Sequence, residues 1–244
     1  MLKMSLLNNE PEIFYSIQGE GKSLGKPAIF VRLSNCNLRC VWCDTPFTWN
    51  WVGTKNEHPQ KYLRSEYQQE VSIKSIIDKI KEYPCQRVIL TGGEPMLQQD
   101  ALVKLMLELR QTDKSYFFEI ETNGTLSPTE ELAKNIDQYN VSLKLSNAGD
   151  KQRMRLKPEA IRTLVNSPKS NFKFVVENKN DLAEVEHIIA EYFIPKEKVL
   201  LMPQARTRDE LLKKQTEIIE VCKLKGYSFS DRLHIRIYGD KQGV

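Results

Sequence analysis

Residues 28–43 read AIFVRLSNCNLRCVWC and join an apolar run to three closely spaced cysteines. The run 28–33 is rich in β-branched and aromatic residues, which predicts a buried strand. Similar runs predict strands at 13–17, 87–91, 116–121, 141–145, 172–176, 199–202 and 233–237, and helical periodicity falls between most of them. Strand–helix alternation of this kind predicts an α/β fold with a mainly parallel sheet. About six such units favour an open, partial TIM-type barrel over a closed eightfold barrel.

Four features predict where helices begin and end. Ser72 is expected to cap a helix whose isoleucines lie on one face, and a second helix covers 101–109. Ser127 and Pro128 are expected to open a third helix, and Gly226 to end the last long one. The polar segment 49–69 is expected to be a long, variable loop. The sequence shows neither an internal repeat nor a linker, so one domain over 1–244 is predicted.

Composition narrows the possible partners. The 244 residues carry a net charge of +4, and the basic residues are spread along the chain. This pattern gives little support to nucleic-acid binding and suits a small anionic substrate. The sequence has neither an apolar run of about 18 residues nor an export signal at its start, so no membrane association and a cytoplasmic location are expected.

The three clustered cysteines are metal-ligand candidates. Of the five cysteines, Cys85 and Cys222 are predicted to be structural, whereas Cys36, Cys40 and Cys43 share one loop. Thiolates are soft ligands that suit iron–sulfur clusters and zinc. Structural zinc usually takes four ligands in two separated pairs. Three ligands would leave one iron of a 4Fe-4S cluster open to a chelating molecule, so the spacing favours a cluster and leaves zinc as an alternative.

A glycine turn follows the strand predicted at 87–91. In Thr91-Gly92-Gly93-Glu94-Pro95, two glycines let the backbone approach a ligand closely, and Glu94 offers a negative charge for an ammonium group. Polar residues also stand at or near the ends of later predicted strands, at 121–124, 142–144 and 202–205. Because parallel α/β folds place their sites at the carboxyl ends of strands, these segments are expected to converge on one rim.

The cysteine spacing, Cys-x-x-x-Cys-x-x-Cys, resembles the hallmark of the radical S-adenosylmethionine (SAM) superfamily. That resemblance implies that Cys36, Cys40 and Cys43 hold a 4Fe-4S cluster whose open iron is chelated by SAM. Electron transfer from the cluster would then generate a 5′-deoxyadenosyl radical, which abstracts a substrate hydrogen. The resemblance also implies that Trp42 packs near adenine and that Gly93 and Glu94 serve the SAM amino group.

Further segments resemble the 7-carboxy-7-deazaguanine synthase family. These segments are EIFYSIQGEG at 12–21, FVR at 30–32, CDT at 43–45 and HIRIYGDKQGV at 234–244. The resemblance runs from about residue 10 to the C-terminus and is weakest through 49–69 and 149–170. It implies a carbon–nitrogen lyase that converts 6-carboxy-5,6,7,8-tetrahydropterin to 7-carboxy-7-deazaguanine by radical ring contraction with loss of ammonia, in queuosine or 7-deazapurine biosynthesis. It also implies Mg²⁺, regenerated SAM, a homodimer and an electron donor such as flavodoxin or ferredoxin.

The same resemblance implies roles for individual residues. Substrate-binding positions would be Ile17, Gln18, Gly19, Arg32, Thr91 and Val244, with Arg32 pairing with a substrate carboxylate, and Thr45 would bind Mg²⁺. SAM would be surrounded by Trp42, Cys43, Asp44, Gly93, Glu94, Glu121, Ser142, Leu143, Lys144, Met202, Pro203, Gln204 and Ala205. Glu20 and Glu121 are acidic candidates near the reacting centre.

Two alternatives remain open from the sequence. Another radical SAM enzyme, such as a glycyl-radical activase, would share the cysteine motif but would not explain the segments at 12–21 and 234–244. A zinc-stabilised binding module would explain the cysteines alone. One departure from the family is Leu143, where many members have proline within a Ser-Pro-Lys motif.

Overall fold

A computed structural model describes residues 1–54, 58 and 60–244. The strands are β1 (Leu2–Leu7), β2 (Glu10–Pro11), β3 (Ile13–Ile17), β4 (Pro27–Leu33), β5 (Gln68–Val71), β6 (Arg87–Gly92), β7 (Phe117–Thr122), β8 (Gln138–Val141), β9 (Ser170–Val176), β10 (Val199–Pro203) and β11 (Ser228–Phe229). The α-helices are α1 (Arg64–Tyr67), α2 (Ile73–Ile80), α3 (Gln99–Thr112), α4 (Glu130–Asn135), α5 (Gln152–Arg155), α6 (Pro158–Asn166), α7 (Lys179–Tyr192), α8 (Arg208–Lys225) and α9 (Leu233–Tyr238).

The strands form one mixed sheet with a long parallel section. Its order is β11-β10-β9-β8-β7-β6-β4-β1-β2, with β3 paired to β4 and β5 paired to β1. Every pair from β4 through β11 along this order is parallel, whereas β1, β3 and their partners are antiparallel. The sheet is an open, partial barrel, which confirms the predicted fold class.

The register of the parallel strands brings their carboxyl ends together. Arg32 lies opposite Thr91, and Leu33 opposite Gly92, at the ends of β4 and β6. Glu121 of β7 lies opposite Asn140 of β8. The predicted rim therefore exists, and the polar residues placed on it from sequence are neighbours in the fold.

The predicted helix signals act mostly as expected. The Ser72 hydroxyl accepts a hydrogen bond from the Ser75 amide at 3.0 Å, and all four isoleucines of α2 are buried. Gly226 ends α8 with φ +74°, a left-handed conformation that glycine adopts without steric cost. Helix α4 begins later than predicted, because the Thr129 side chain caps it and Pro128 precedes the cap.

Two predicted strands need correction. The segment 233–237 is part of helix α9, not a strand. After β11, the edge strand, the chain leaves the sheet, and the backbone of α9 makes its hydrogen bonds within a helix. The strand predicted at 141–145 ends at Val141, and the residues after it form the rim instead.

The segment predicted as a loop at 49–69 also contains regular structure. It includes α1 and the start of β5, which pairs antiparallel with β1. Residues 55–57 and 59, which belong to the same predicted loop, lie outside the described residues. Across the described residues, no helix combines the length and apolar character needed to cross a membrane.

Candidate active site

The cysteine loop begins where β4 ends and packs against the glycine turn. The Gly93 amide donates to the Leu33 carbonyl at 3.1 Å, and the Glu94 amide donates to the Asn35 carbonyl at 2.7 Å. A Cβ on Gly93 would lie 2.0 Å from the Asn35 oxygen, so a larger residue cannot fit there without moving the loop. The two motifs, about fifty residues apart in sequence, are therefore held together through their backbones.

The three cysteines face one cavity of about 310 Å³ and carry no disulfide. Burial raises the pKa of the Cys40 thiol to about 12 and holds the pKa of Cys36 still higher. The protein alone thus disfavours the thiolates, and a bound cation would have to stabilise them. In the described part of the chain, no three His, Cys, Asp or Glu side chains are close enough to hold a single metal ion.

Nitrogen donors point at two of these sulfur atoms. The Leu38 amide donates to Cys36 Sγ at 3.5 Å, and the Trp49 indole Nε1 donates to Cys43 Sγ at 3.3 Å. Such donors stabilise negative charge on sulfur, which is the charge that iron-bound thiolates carry. The donor set around the loop therefore fits a thiolate-ligated iron–sulfur cluster.

Glu94 clamps two strand ends together. Its carboxylate accepts hydrogen bonds from the Thr122 hydroxyl at 2.8 Å, the Asn123 amide at 2.7 Å and the Met96 amide at 2.9 Å. Burial raises the pKa of this carboxyl, although the three hydrogen bonds and Lys144 oppose the rise. Glu94 is fully buried and is absent from the cavity lining, so its observed contacts join the ends of β6 and β7.

An ion network with two buried cations forms another part of the cavity wall. The Lys173 ammonium lies 2.5 Å from a Glu20 oxygen and 3.2 Å from a Glu121 oxygen. The Arg232 guanidinium contacts the second Glu20 oxygen at 3.0 Å and also pairs with Asp44. The Lys173 ammonium can be buried because two carboxylates at hydrogen-bond distance compensate its charge.

The pKa values of the two glutamates in this network are shifted in opposite directions. Burial alone would raise the pKa of Glu20, but Lys173 and Arg232 hold that pKa well below its usual range. Burial raises the pKa of Glu121, and the nearby carboxylates of Glu20 and Glu119 raise it further against the opposing effect of Lys173. One carboxylate is thus fixed in its ionised form, and its neighbour takes up a proton more readily.

Arg32 is anchored from one side. Its Nε donates to Glu12 Oε1 at 2.7 Å, and its guanidinium lies 5.9 Å from the centroid of the Phe14 ring. The two Nη atoms make no hydrogen bond to any residue that the structure describes, and Arg32 lines the cavity. This geometry leaves the outer edge of the guanidinium available to a carboxylate.

Comparison with known proteins agrees with this geometry. A family model described as the radical SAM superfamily matches residues 31–196, which include the cysteine loop and the glycine turn. The 7-carboxy-7-deazaguanine synthase of Pyrobaculum aerophilum is 37% identical over 95% of this chain and 95% of its own length. The chain belongs to the 7-carboxy-7-deazaguanine synthase family of the radical SAM superfamily. The synthase of Halobacterium salinarum is 33% identical over 94% of this chain and 90% of that protein.

Solved structures extend the likeness to the fold. The crystal structure of QueE from Escherichia coli matches with a TM-score of 0.66 and 25% identity, covering 95% of both chains. As a member of the radical SAM superfamily, the chain is an enzyme whose cofactors are a 4Fe-4S cluster and SAM. The likeness therefore overturns the zinc-module alternative.

The cavity contains most of the residues predicted for this family's site. All but four of the predicted residues line it. The predicted residues in the lining are Ile17, Gln18, Gly19, Glu20, Arg32, Cys36, Cys40, Trp42, Cys43, Asp44, Thr45, Thr91, Gly93, Glu121, Ser142, Lys144, Met202, Gln204 and Val244. The four outside the lining are Glu94, Leu143, Pro203 and Ala205. The last three are buried and alternate along the chain with lining residues, so their side chains point into the core.

Sequence reasoning assigned no individual role to several polar residues of the lining, although it placed the segment 121–124, which contains Asn123, on the rim. Lys173, Arg232, His234 and Asn123 all face the cavity. A signal existed for Lys173, because it interrupts the otherwise apolar run 172–176 of β9. A charged residue in the middle of a buried strand needs a partner, and here the partners come from β7 and from the turn after β3. Arg232 and His234 were hidden by the incorrect strand prediction at 233–237.

Proposed function

We propose that the enzyme converts 6-carboxy-5,6,7,8-tetrahydropterin to 7-carboxy-7-deazaguanine with loss of ammonia, in queuosine or another 7-deazapurine pathway. One observation carries this proposal. The cysteine trio, the segment Ile17, Gln18 and Gly19, the Arg32 guanidinium and the C-terminal Val244 all line one cavity. A site for SAM chemistry and the segments typical of this synthase family are thus contiguous.

The chain's own residues divide the cavity between two ligands. Lys144 contributes an ammonium group that bonds the Ser142 hydroxyl at 3.0 Å and lies 5.1 Å from the centroid of the Trp42 ring. These residues, with Met202 and Gln204, would hold SAM. When bound, the cluster supplies the electron that initiates radical chemistry from SAM.

The substrate would bind beside β3 and β4. Two hydrogen bonds orient the Gln18 side chain. Its Nε2 donates to a Glu121 carboxylate oxygen at 3.1 Å, and its Oε1 accepts from the Glu20 backbone amide. The Arg32 Nη atoms would bind the substrate carboxylate. Glu121, whose pKa is raised by burial, would exchange a proton with the ring, while Glu20 would stay ionised between Lys173 and Arg232.

Several further assignments belong to the same proposal. Thr45 lines the cavity beside Cys43, with 3.8 Å between its hydroxyl and the sulfur, and would supply an oxygen ligand to Mg²⁺. Residues 1–244 would act as one radical SAM domain within a homodimer. Flavodoxin or ferredoxin would deliver the electron, and SAM would be regenerated in each cycle.

The test is anaerobic turnover of the cluster-loaded enzyme with the carboxytetrahydropterin, SAM, a chemical reductant and Mg²⁺. We expect 7-carboxy-7-deazaguanine and ammonia in equal amounts, with SAM undepleted over many turnovers. A loaded enzyme that cleaves SAM but forms no deazaguanine would favour the glycyl-radical activase alternative. Protein that is purified without oxygen and contains no iron or sulfide would overturn the enzyme assignment itself.

A further inference from the structure

Trp49 makes an unexpected contact with the cysteine loop. It lies at the start of the segment predicted to be a variable loop, where the resemblance to the synthase family is weakest. Its indole Nε1 donates to the Cys43 sulfur at 3.3 Å, and the side chain is 8% exposed. The contact is therefore a hydrogen bond from a buried indole to the partly buried sulfur of one of the three proposed cluster ligands.

Neighbouring groups fix the orientation of this indole. The His58 ring packs edge-on against it, with 5.6 Å between ring centroids and an interplanar angle of 85°. A His58 ring nitrogen is itself 3.1 Å from the Cys40 carbonyl oxygen. The Trp49 amide donates to the Pro46 carbonyl at 3.2 Å. The segment after the cysteines thus folds back onto two of them, and the indole N–H points at sulfur.

A hydrogen bond to a ligating sulfur affects the two oxidation states of a cluster unequally. Reduction adds one electron, so the reduced cluster and its thiolates carry more negative charge than the oxidised cluster. The positive end of an N–H dipole stabilises the reduced state more, and the burial of the Trp49 indole strengthens the interaction because it reduces screening by water. Donors to the sulfurs consequently raise the reduction potential.

We propose that Trp49 is a positioning residue that tunes the cluster, because its indole N–H donates to the Cys43 sulfur and raises the reduction potential. This inference rests on the part of the proposed function that makes Cys43 a cluster ligand, and it is independent of the substrate. The electron itself still comes from the external reductant. Trp49 makes the cluster easier for that donor to reduce.

The test is an anaerobic redox titration of the cluster, followed by electron paramagnetic resonance of the reduced form. Trp49→Phe keeps an aromatic ring and removes the N–H, whereas Trp51→Phe makes the same change two residues away. The Trp51 ring packs against Arg64, with 5.2 Å from the guanidinium to its centroid. We expect a more negative midpoint potential for Trp49→Phe than for the wild-type enzyme, and an unchanged potential for Trp51→Phe.

Two outcomes would overturn the inference. An unchanged potential in a fully loaded Trp49→Phe enzyme would mean that the indole only packs, and a more positive potential would mean that water entry dominates. Loaded enzyme that forms the deazaguanine yet shows either result would leave the proposed function intact. Wild-type protein that never acquires iron and sulfide would instead refute the proposed function.

A second measurement covers the case in which Trp49→Phe loads too little iron. The chain has three tryptophans, so the combined Trp42→Phe and Trp51→Phe variant retains Trp49 alone. With the indole nitrogen labelled by ¹⁵N, pulsed electron paramagnetic resonance of the reduced cluster should detect a ¹⁵N coupling. A reduced cluster without that coupling would contradict the hydrogen bond and the proposal with it.

Discussion

Lys173→Met should destabilise the enzyme strongly, because Lys173 is the buried cation between two partly buried carboxylates. Removing one partner of a buried ion pair costs about 3–5 kcal/mol, since the remaining charge is left without compensation. Glu20 keeps Arg232, so most of this cost should fall on Glu121, which retains the side-chain amides of Gln18 and Asn140 at 3.1 and 2.8 Å. For a chain of this size, 1 kcal/mol corresponds to roughly 2–4 °C in Tm, which gives a loss of about 6–20 °C.

The effect should also depend on pH in a definite direction. The pKa of Glu20 is lowered in the folded enzyme, so its stabilisation is present above the ordinary glutamate pKa and is lost as pH falls. In Lys173→Met the carboxyls of Glu20 and Glu121 lose the Lys173 ammonium, and the already raised pKa of Glu121 should rise further. A group with a raised folded-state pKa favours folding as pH falls. The stability difference between the two proteins should therefore be largest near pH 8 and narrow towards about pH 5.

Anaerobic thermal unfolding of the cluster-loaded proteins across this pH range measures both effects. Lys169→Met is the matched control, because the Lys169 ammonium donates to the Ala133 and Ile136 carbonyls, at 2.7 and 2.6 Å, instead of to carboxylates. Its loss should lower Tm by an amount that stays constant with pH. A difference for Lys173→Met that is equally constant from pH 5 to pH 8, or a Tm equal to that of the wild type, would refute the reasoning.

The remaining predictions concern the cavity. Cys43→Ala should abolish the cluster absorbance and all activity, because two thiolates do not hold the cluster firmly; retention of a full iron and sulfide content would contradict the ligand assignment. Thr45→Ala should keep the cluster and SAM cleavage but weaken the stimulation by Mg²⁺, and an unchanged metal dependence in steady-state assays would exclude Thr45 as a ligand. Arg32→Ala should remove a charge-assisted pair worth about 1.5–3 kcal/mol and raise KM roughly 10- to 150-fold, with a smaller change in kcat. A fall in kcat at constant KM would place Arg32 elsewhere in the reaction.

Much of the site could be predicted because its motifs are local and stand at the ends of strands. A cysteine loop after β4 and a glycine turn after β6 become neighbours as soon as those two strands are parallel and adjacent. Side-chain direction was harder to predict. Successive side chains after β8 point to opposite sides, so Ser142 and Lys144 reach the cavity while Leu143 enters the core. Predicting this requires knowing that β8 ends at Val141.

The parts that could not be predicted depend on long-range pairing. The alternating residues 233–237 have strand-like periodicity, yet they form helix α9 and do not join the described sheet, whose edge strand is β11. Arg232 is placed there by ion pairs to Glu20 and Asp44, which are about 190 or more residues away in sequence. Local patterns contain no information about such partners. For the same reason, the contact between Trp49 and Cys43 depends on the fold of the segment after the cysteines.

The pairing of charges explains how one cavity could hold the carboxylates of its two ligands at separate places. Lys173 and Arg232 already hold carboxylates, so neither attracts a further anion strongly. On the described strands and strand ends that line the cavity, the Lys144 ammonium has no carboxylate partner, and Arg32 binds Glu12 through Nε alone, so that its two Nη atoms are left for a second carboxylate. Arg32 and Lys144 belong to β4 and to the end of β8, three strand spacings apart, or about 14 Å across the sheet. The carboxylates of substrate and SAM would therefore be drawn to separate places, with their reacting atoms between them.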